Sequence, residues 1–171
     1  MYKINIFDNI NIKIDWYMVY WGIKHKVLSL DVAKDYACKR IEIEESISDE
    51  ELELSWKSED FIEVLDTIER IPDFQCNNEE KLNRAKFMVR IAIIIYLRKT
   101  ELDIVTLLEK IDMIYADFDY PTDMEKFISY MPIDDKDLQV KHAINECRSY
   151  LLEKLDLFIN EQIKKLELFK D

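Results

Sequence analysis

The chain has 171 residues, 49% of them hydrophobic and 35% charged, and 36 acidic residues against 24 lysines and arginines give a net charge of −12. This length suits a single domain (residues 1–171) that buries about 70% of its unfolded surface. The single glycine excludes glycine-rich phosphate loops, which need backbone N–H groups unobstructed by a Cβ, and it disfavours tight-turned all-β folds. We therefore predict an all-α protein, an irregular helical bundle of six to eight helices.

The N-terminal residues combine an alternating pattern with an aromatic cluster. Apolar and polar residues alternate in places over residues 1–14, which predicts a short strand or an extended arm. Asp15 precedes an aromatic-rich helix over residues 16–23, and we expect Gly22 to end it in the left-handed conformation common at a helix C-terminus. The aromatic residues are interpreted as core, with a partner-binding face as the alternative. They are Trp16, Tyr17, Tyr20 and Trp21.

Three helices follow, each preceded by a serine suited to cap a helix N-terminus. Ser29, Ser48 and Ser58 are these caps. The helices are expected over residues 29–43, 49–54 and 59–71, and Pro72 stops the last of them.

The next helix begins at Asn77 or Asn78 and extends to about Lys99. Its residues 87–97 are apolar nearly all round, which is typical of a helix at the centre of a bundle. A further helix is predicted over residues 101–115, and a short one from Pro121 to about Tyr130.

The last helical stretch begins at Asp134 or Asp135 and extends to about Phe169. This is long for a globular helix. Either it breaks near Asn160, or its end projects toward a partner.

The cysteines and the hydropathy indicate the compartment. Cys38, Cys76 and Cys147 are odd in number and far apart, which argues against a disulfide framework or a zinc site. We find no secretory signal, and the apolar run 91–97 is far shorter than the about 20 residues that span a bilayer. We therefore expect a cytoplasmic protein with no membrane partner.

The negative charge is concentrated in two segments. Residues 42–70 carry a net charge of −10 and residues 101–137 a net charge of −8. Such runs can be solvated faces that keep a protein soluble. The alternative is a binding surface for a basic partner, because clustered charges steer association and set specificity. Nucleic acid is disfavoured as a partner, since its binding requires Lys and Arg at the phosphates.

The acidic string 117–125, with the sequence DFDYPTDME, is the best candidate for chemistry. An EF-hand loop starting at Asp117 fails, because Thr122 and Ile128 stand where a glycine and a bidentate acid are required. A carboxylate-based hydrolase using this string is one alternative function. Helix capping by its acidic residues is the structural explanation.

Other catalytic and ligand-binding patterns are weak. His25 and His142 are the only histidines, and no HExxH zinc motif is present. Residues 24–40 resemble a helix-turn-helix in outline, with five basic residues, but the acidic run from Glu42 would lie close to DNA. That regulator is the second alternative. No catalytic, cofactor-binding or metal-binding residue is assigned.

Two segments carry a family resemblance: residues 55–60 (SWKSED) and residues 114–121 (IYADFDYP), which continues to Met131 and Pro132. With the early Trp16 and Gly22, they resemble an uncharacterised bacterial domain-of-unknown-function family similar to immunity proteins of polymorphic or contact-dependent toxin systems. The resemblance implies a small, cytoplasmic, non-enzymatic protein that neutralises a cognate toxin domain by tight binding. If that toxin is a basic nuclease, an acidic face would occupy its substrate groove.

The residues expected to bind this partner are Glu59, Glu63, Asp66, Asp117, Asp119, Tyr120 and Asp123. The same string has an alternative role as a turn that defines the fold. In that case Pro121 restricts Tyr120 to extended geometry, and Phe118 and Tyr120 pack beneath the turn.

Overall fold

A computed structural model describes residues 1–8, 12–43, 46–56, 60–132 and 144–168. Over these residues the fold is all-α, as predicted, with seven α-helices and two 3₁₀ helices and no strand. None of the described helices is both long and apolar enough to cross a bilayer.

The chain divides into two compact units, Met1–Ala92 and Ile93–Asp171. The first contains η1 (Ile4–Phe7), α1 (Trp16–Lys24), α2 (Asp31–Ile43), α3 (Asp49–Leu54), α4 (Phe61–Arg70) and the start of α5 (Glu79–Thr100). The second contains the end of α5, then α6 (Ile104–Asp117), η2 (Thr122–Phe127) and α7 (Ile144–Leu168). The single domain expected over residues 1–171 stays a prediction.

The first residues differ from the expected strand or extended arm. Tyr2 makes one parallel bridge with Leu28, and residues 4–7 form the 3₁₀ helix η1. The physical reason is burial: this turn places Ile4, Ile6 and Phe7 together in the core, which an extended segment with alternating faces does not do.

The aromatic helix α1 is the core of the first unit, as interpreted from the sequence. The Asp15 carboxylate caps it by accepting a hydrogen bond from the Met18 N–H at 2.9 Å. Every residue from Trp16 to Ile23 is buried. The rings of α1 pack against those of other elements, with centroids 4.7 Å apart for Trp16 and Tyr36 and 4.6 Å apart for Tyr17 and Phe74.

Glu51 joins three helices of this unit. The residue is only 3% exposed, and its carboxylate accepts hydrogen bonds from Trp16 Nε1 at 2.7 Å, Arg40 Nε at 2.6 Å and the Ser48 N–H at 3.1 Å. Ser48 and Glu51 also form a capping box at the start of α3, in which each side chain bonds to the other's backbone N–H. Burial raises the pKa of Glu51, but these donors outweigh it and hold the pKa below the ordinary value of 4.5.

Gly22 does not have the expected role. It lies inside α1 without a positive φ, and the left-handed residue is Lys26, with φ 57°. The helix continues to Lys24, and the chain reverses after it so that the Gly22 carbonyl accepts from the N–H groups of both Val27 and Leu28. A Cβ on Gly22 would lie 2.4 Å from Leu28 Cγ and Cδ1. The glycine is required by this close approach.

Helix ends follow the predicted caps in part. Asn78 caps α5 through the Lys81 N–H, whereas α2 begins at Asp31 and not at Ser29. Asp60 caps α4, while Ser58 and Glu59, where this helix was expected to begin, lie outside the described residues. In α5, residues 91–95 are at most 2% exposed, which confirms the predicted burial for the middle of the segment 87–97. Phe87, Met88 and Tyr96 of the same segment are half-buried.

In the second unit, α6 begins at Ile104 with Asp103 as its cap, three residues later than predicted. α7 is continuous through Asn160, so of the two alternatives the break is wrong, and the projection of the helix end toward a partner stays a prediction. The helix is packed around this point: the Phe158 ring contacts Phe127 of η2 with centroids 5.0 Å apart, and Ile159 is also buried. Asp134 and Asp135, the expected start of the helix, lie outside the described residues.

We predict that Gly22→Ala lowers the melting temperature. Crowding the buried Leu28 costs about 1–3 kcal/mol, more than the about 1 kcal/mol that alanine contributes in a helix. Thermal unfolding monitored by circular dichroism measures the change. In a Leu28→Ala background the same substitution should be neutral or stabilising. A higher melting temperature for Gly22→Ala in the otherwise unchanged protein would contradict the assigned contact.

We predict that Glu51→Gln lowers the free energy of unfolding at pH 7 by roughly 1–3 kcal/mol, because it removes charge-assisted hydrogen bonds. Since the pKa of Glu51 is lowered in the folded state, the stability it contributes is present above its unfolded pKa and is lost as pH falls through the folded pKa. Urea unfolding at several pH values should show the two proteins converging in acid. An equal difference at all pH values would contradict the network.

Candidate partner-binding surfaces

The residues predicted to bind a partner are divided between the two units. Glu63 and Asp66 are exposed on α4 of the first unit, whereas Asp117, Asp119, Tyr120 and Asp123 lie in the second. Glu59 lies outside the described residues. The set therefore forms two candidate surfaces, and each is considered by itself.

The turn after α6 is built around Phe118, which is 2% exposed between the exposed Asp117 and Asp119. Asp119 and Tyr120 both have positive φ, 63° and 55°. The Tyr120 N–H donates to the carbonyl of Tyr115 at 2.9 Å, which satisfies a backbone acceptor at the helix end. The string is thus a structural turn, and its central ring packs inward as expected.

Tyr120 itself is not extended, although it precedes a proline, and it does not pack beneath the turn. Its backbone is left-handed because its N–H reaches back to α6, and the residue is 60% exposed. Pro121 is the N-cap of η2, a 3₁₀ helix in place of the short α-helix expected to follow it.

Three tyrosines meet beside this turn. Tyr115 is 2% exposed and supports the rings of Tyr120 and Tyr130 at centroid distances of 5.3 and 6.2 Å. Tyr130 is 60% exposed, like Tyr120. The carboxylate of Asp112 fixes the segment before Tyr130 by accepting from the Ser129 N–H at 3.0 Å and from the Ser129 hydroxyl.

Two phenols of this cluster, those of Tyr115 and Tyr130, have raised pKa values. Partial burial, followed by the charge of Asp112, raises the pKa of Tyr130. Burial, followed by the charge of Glu125, raises the pKa of Tyr115. The exposed phenol of Tyr130 therefore stays protonated at neutral pH and can donate a hydrogen bond.

We call these residues the tyrosine–acid surface: Asp112, Asp117, Asp119, Tyr120, Asp123, Glu125 and Tyr130. It places aromatic side chains held by a buried neighbour among carboxylates. Aromatic anchors of this kind contribute strongly to protein interfaces, and carboxylates beside them suit cationic groups. Asp112 and Tyr130 were not identified from the sequence, because only the fold brings residues 112 and 130 to the turn.

A cleft in the first unit has a volume of about 730 Å³ and is lined by aromatic and charged residues, including Trp16, Tyr36 and Arg40. This volume is typical of small-molecule sites. However, its buried polar groups bond to the protein: the Tyr36 hydroxyl donates to the carbonyl of Ile14 at 2.9 Å, and Glu51 binds Trp16 and Arg40. Burial also raises the pKa of Tyr36 to about 12. The arrangement is that of a structural network.

Two observations bear on the carboxylate-based hydrolase. Among the described residues, no group of three or more His, Cys, Asp or Glu could hold a metal ion. Asp117, Asp119 and Asp123 are all exposed. The hydrolase stays an alternative prediction.

Three of the five basic residues of the helix-turn-helix outline bond within the protein. The Lys24 ammonium donates to the Tyr20 hydroxyl at 3.0 Å. Lys39 pairs with Asp8 at 2.9 Å and Arg40 with Glu51 at 2.6 Å. The ring of His25 stacks on Trp21, while His142 lies outside the described residues.

We predict that Tyr120→Gly is more stable than Tyr120→Ala by about 1 kcal/mol, because both lose the ring but only glycine adopts positive φ without steric cost. In an ordinary helix the order is the reverse. Urea unfolding of the two variants measures the difference. If the alanine variant is equally or more stable, the left-handed conformation assigned to Tyr120 is wrong.

The comparisons with known proteins identify a family and no individual relative. Residues 4–163 match the family described as "Uncharacterized protein conserved in bacteria (DUF2247)". No curated protein and no solved structure matches the chain. Because the match covers far more than half of the sequence, the chain belongs to the bacterial DUF2247 family, a domain of unknown function.

Proposed function

We propose that this chain is a non-enzymatic cytoplasmic binding protein, an immunity protein that neutralises a cognate bacterial toxin domain. The observation that carries the proposal is the tyrosine–acid surface, where Tyr120 and Tyr130 are each 60% exposed beside Asp117, Asp119 and Asp123. The partner is a basic protein domain, and neither nucleic acid nor a membrane is expected to bind here.

The physical basis is a division of roles between rings and charges. Tyrosine side chains have few rotatable bonds, so ordering them at an interface costs little entropy. Tyr115 already restricts both exposed rings by edge and tilted contacts. The carboxylates around them accelerate encounter with a positively charged partner and exclude acidic ones.

In this proposal the toxin is neutralised because this chain occupies its substrate groove. A toxin that acts on a phosphate-bearing substrate presents basic residues in its groove. Carboxylates of the tyrosine–acid surface would pair with those residues, and the rings would fill the adjacent apolar space. The substrate is then excluded without any chemical step by this chain.

The test is co-expression and complex formation with the toxin domain encoded by the gene next to this one. Wild-type protein should protect the cells and copurify with the toxin. The variant Asp117→Asn/Asp119→Asn should keep the turn, since asparagine tolerates positive φ. We expect it to bind the toxin about tenfold more weakly, mainly because association is slower. Its affinity should also depend less on salt concentration, because two charges are missing.

The matched control is Glu153→Gln/Glu161→Gln, which removes two exposed acidic charges from α7 of the same unit. It should bind and protect like wild type. Absence of any complex between wild-type protein and the toxin would refute the proposed function. A complex that both variants leave unchanged would refute the surface.

A further inference from the structure

The first unit contains a small slot between helices α2, α3 and α4. Its volume is about 160 Å³, below the roughly 300–1,000 Å³ of small-molecule sites. A space of this size suits one side chain of a partner. The buried lining is mainly apolar: Ala33, Leu54 and Val64 are at most 5% exposed. Thr67, a buried polar residue of the lining, donates a hydrogen bond from its hydroxyl to the Glu63 carbonyl at 2.8 Å.

Carboxylates dominate the charged lining. Asp31, Glu53 and Glu63 all line the slot, against Lys34 as the one cation among its lining residues. Glu53 pairs with Arg70 at 3.1 Å, but both side chains are about half exposed. Such exposed pairs contribute little stability, so an incoming cation can compete for the carboxylate.

Trp56 forms an exposed aromatic wall. It lines the slot and is 74% exposed, in contrast to Trp16 and Trp21, which are 8% and 6% exposed. Leu52 of α3 and Ile62 of α4 are also exposed, at 50% and 67%. An indole within reach of a cation attracts it through its π face.

We infer that this slot receives an arginine side chain from a basic protein partner. The apolar lining fits the methylene stem, the carboxylates fit the guanidinium, and Trp56 offers a face on which that planar group stacks. Charge complementarity favours this occupant, because residues 42–70 carry a net charge of −10. The inference rests on the proposed function, because it takes the partner to be basic. It adds that one arginine of the partner binds in a defined slot of the first unit.

The exposed tryptophan provides a direct readout. The other two tryptophans are buried, so a ligand in the slot should change the fluorescence of Trp56 alone. The probe is hexa-arginine, with the neutral hexa-citrulline as its matched control. We expect saturable binding of hexa-arginine with a blue shift or quenching of the emission, no response to hexa-citrulline, and no spectral response in a Trp56→Phe variant.

Paired charge variants separate the slot from general attraction between opposite charges. Glu53→Gln/Glu63→Gln should weaken hexa-arginine binding about fivefold in calorimetry. Glu79→Gln/Glu80→Gln, which removes two exposed charges of the same unit outside the slot lining, should weaken it less. Equal weakening by the two variants, or an unchanged Trp56 spectrum on binding, would overturn the inference.

The two proposals fail separately. If the protein forms a toxin complex but does not bind hexa-arginine in the slot, only the inference about the slot is overturned. Arginine binding in the slot without any toxin complex overturns only the immunity function.

Discussion

A helical chain with a single glycine must end most of its helices with residues that carry side chains. Here polar caps such as Asp15, Ser48 and Asp103 satisfy the first N–H groups, and ordinary residues take left-handed conformations where the chain reverses, namely Lys26, Asp73, Asp119 and Tyr120. Each of these turns presents a side chain where glycine would present none. The turn after α6 uses this constraint to expose a carboxylate and an aromatic ring together, and the proposed binding surface depends on it.

The tyrosine–acid surface is exposed, yet buried residues of the same turn fix its conformation. Phe118 and Tyr115 anchor the turn from the core side, each 2% exposed, so the rings of Tyr120 and Tyr130 rest on a fixed support. In the first unit, Trp56 beside Glu53 and Glu63 provides a second exposed aromatic group among carboxylates. We propose that in both places the rings supply contact area and the charges supply selectivity for a basic partner, since protein interfaces commonly combine the two.

Local signals in the sequence predicted much of the fold and only part of the site. The helix cap at Ser48 and the apolar run in α5 are signals within a few residues, so both were predicted from the sequence. The role of Gly22 could not, because it depends on Leu28 approaching across a chain reversal. Tyr120 departed from the expected extended geometry because a backbone hydrogen bond to Tyr115 outweighs the restriction imposed by Pro121.

In the candidate site, too, residues close in sequence were predicted and residues joined by the fold were missed. Asp117, Asp119 and Asp123 are evident as an acidic string, whereas Tyr130 is brought beside them by the hydrogen bonds between Ser129 and Asp112 and by its contact with Tyr115. Hydrogen–deuterium exchange of the chain alone and in complex with the proposed toxin domain tests whether the tyrosine–acid surface is the interface. We expect slower exchange over residues 112–130 in the complex. Unchanged exchange over these residues in a stable complex would contradict it.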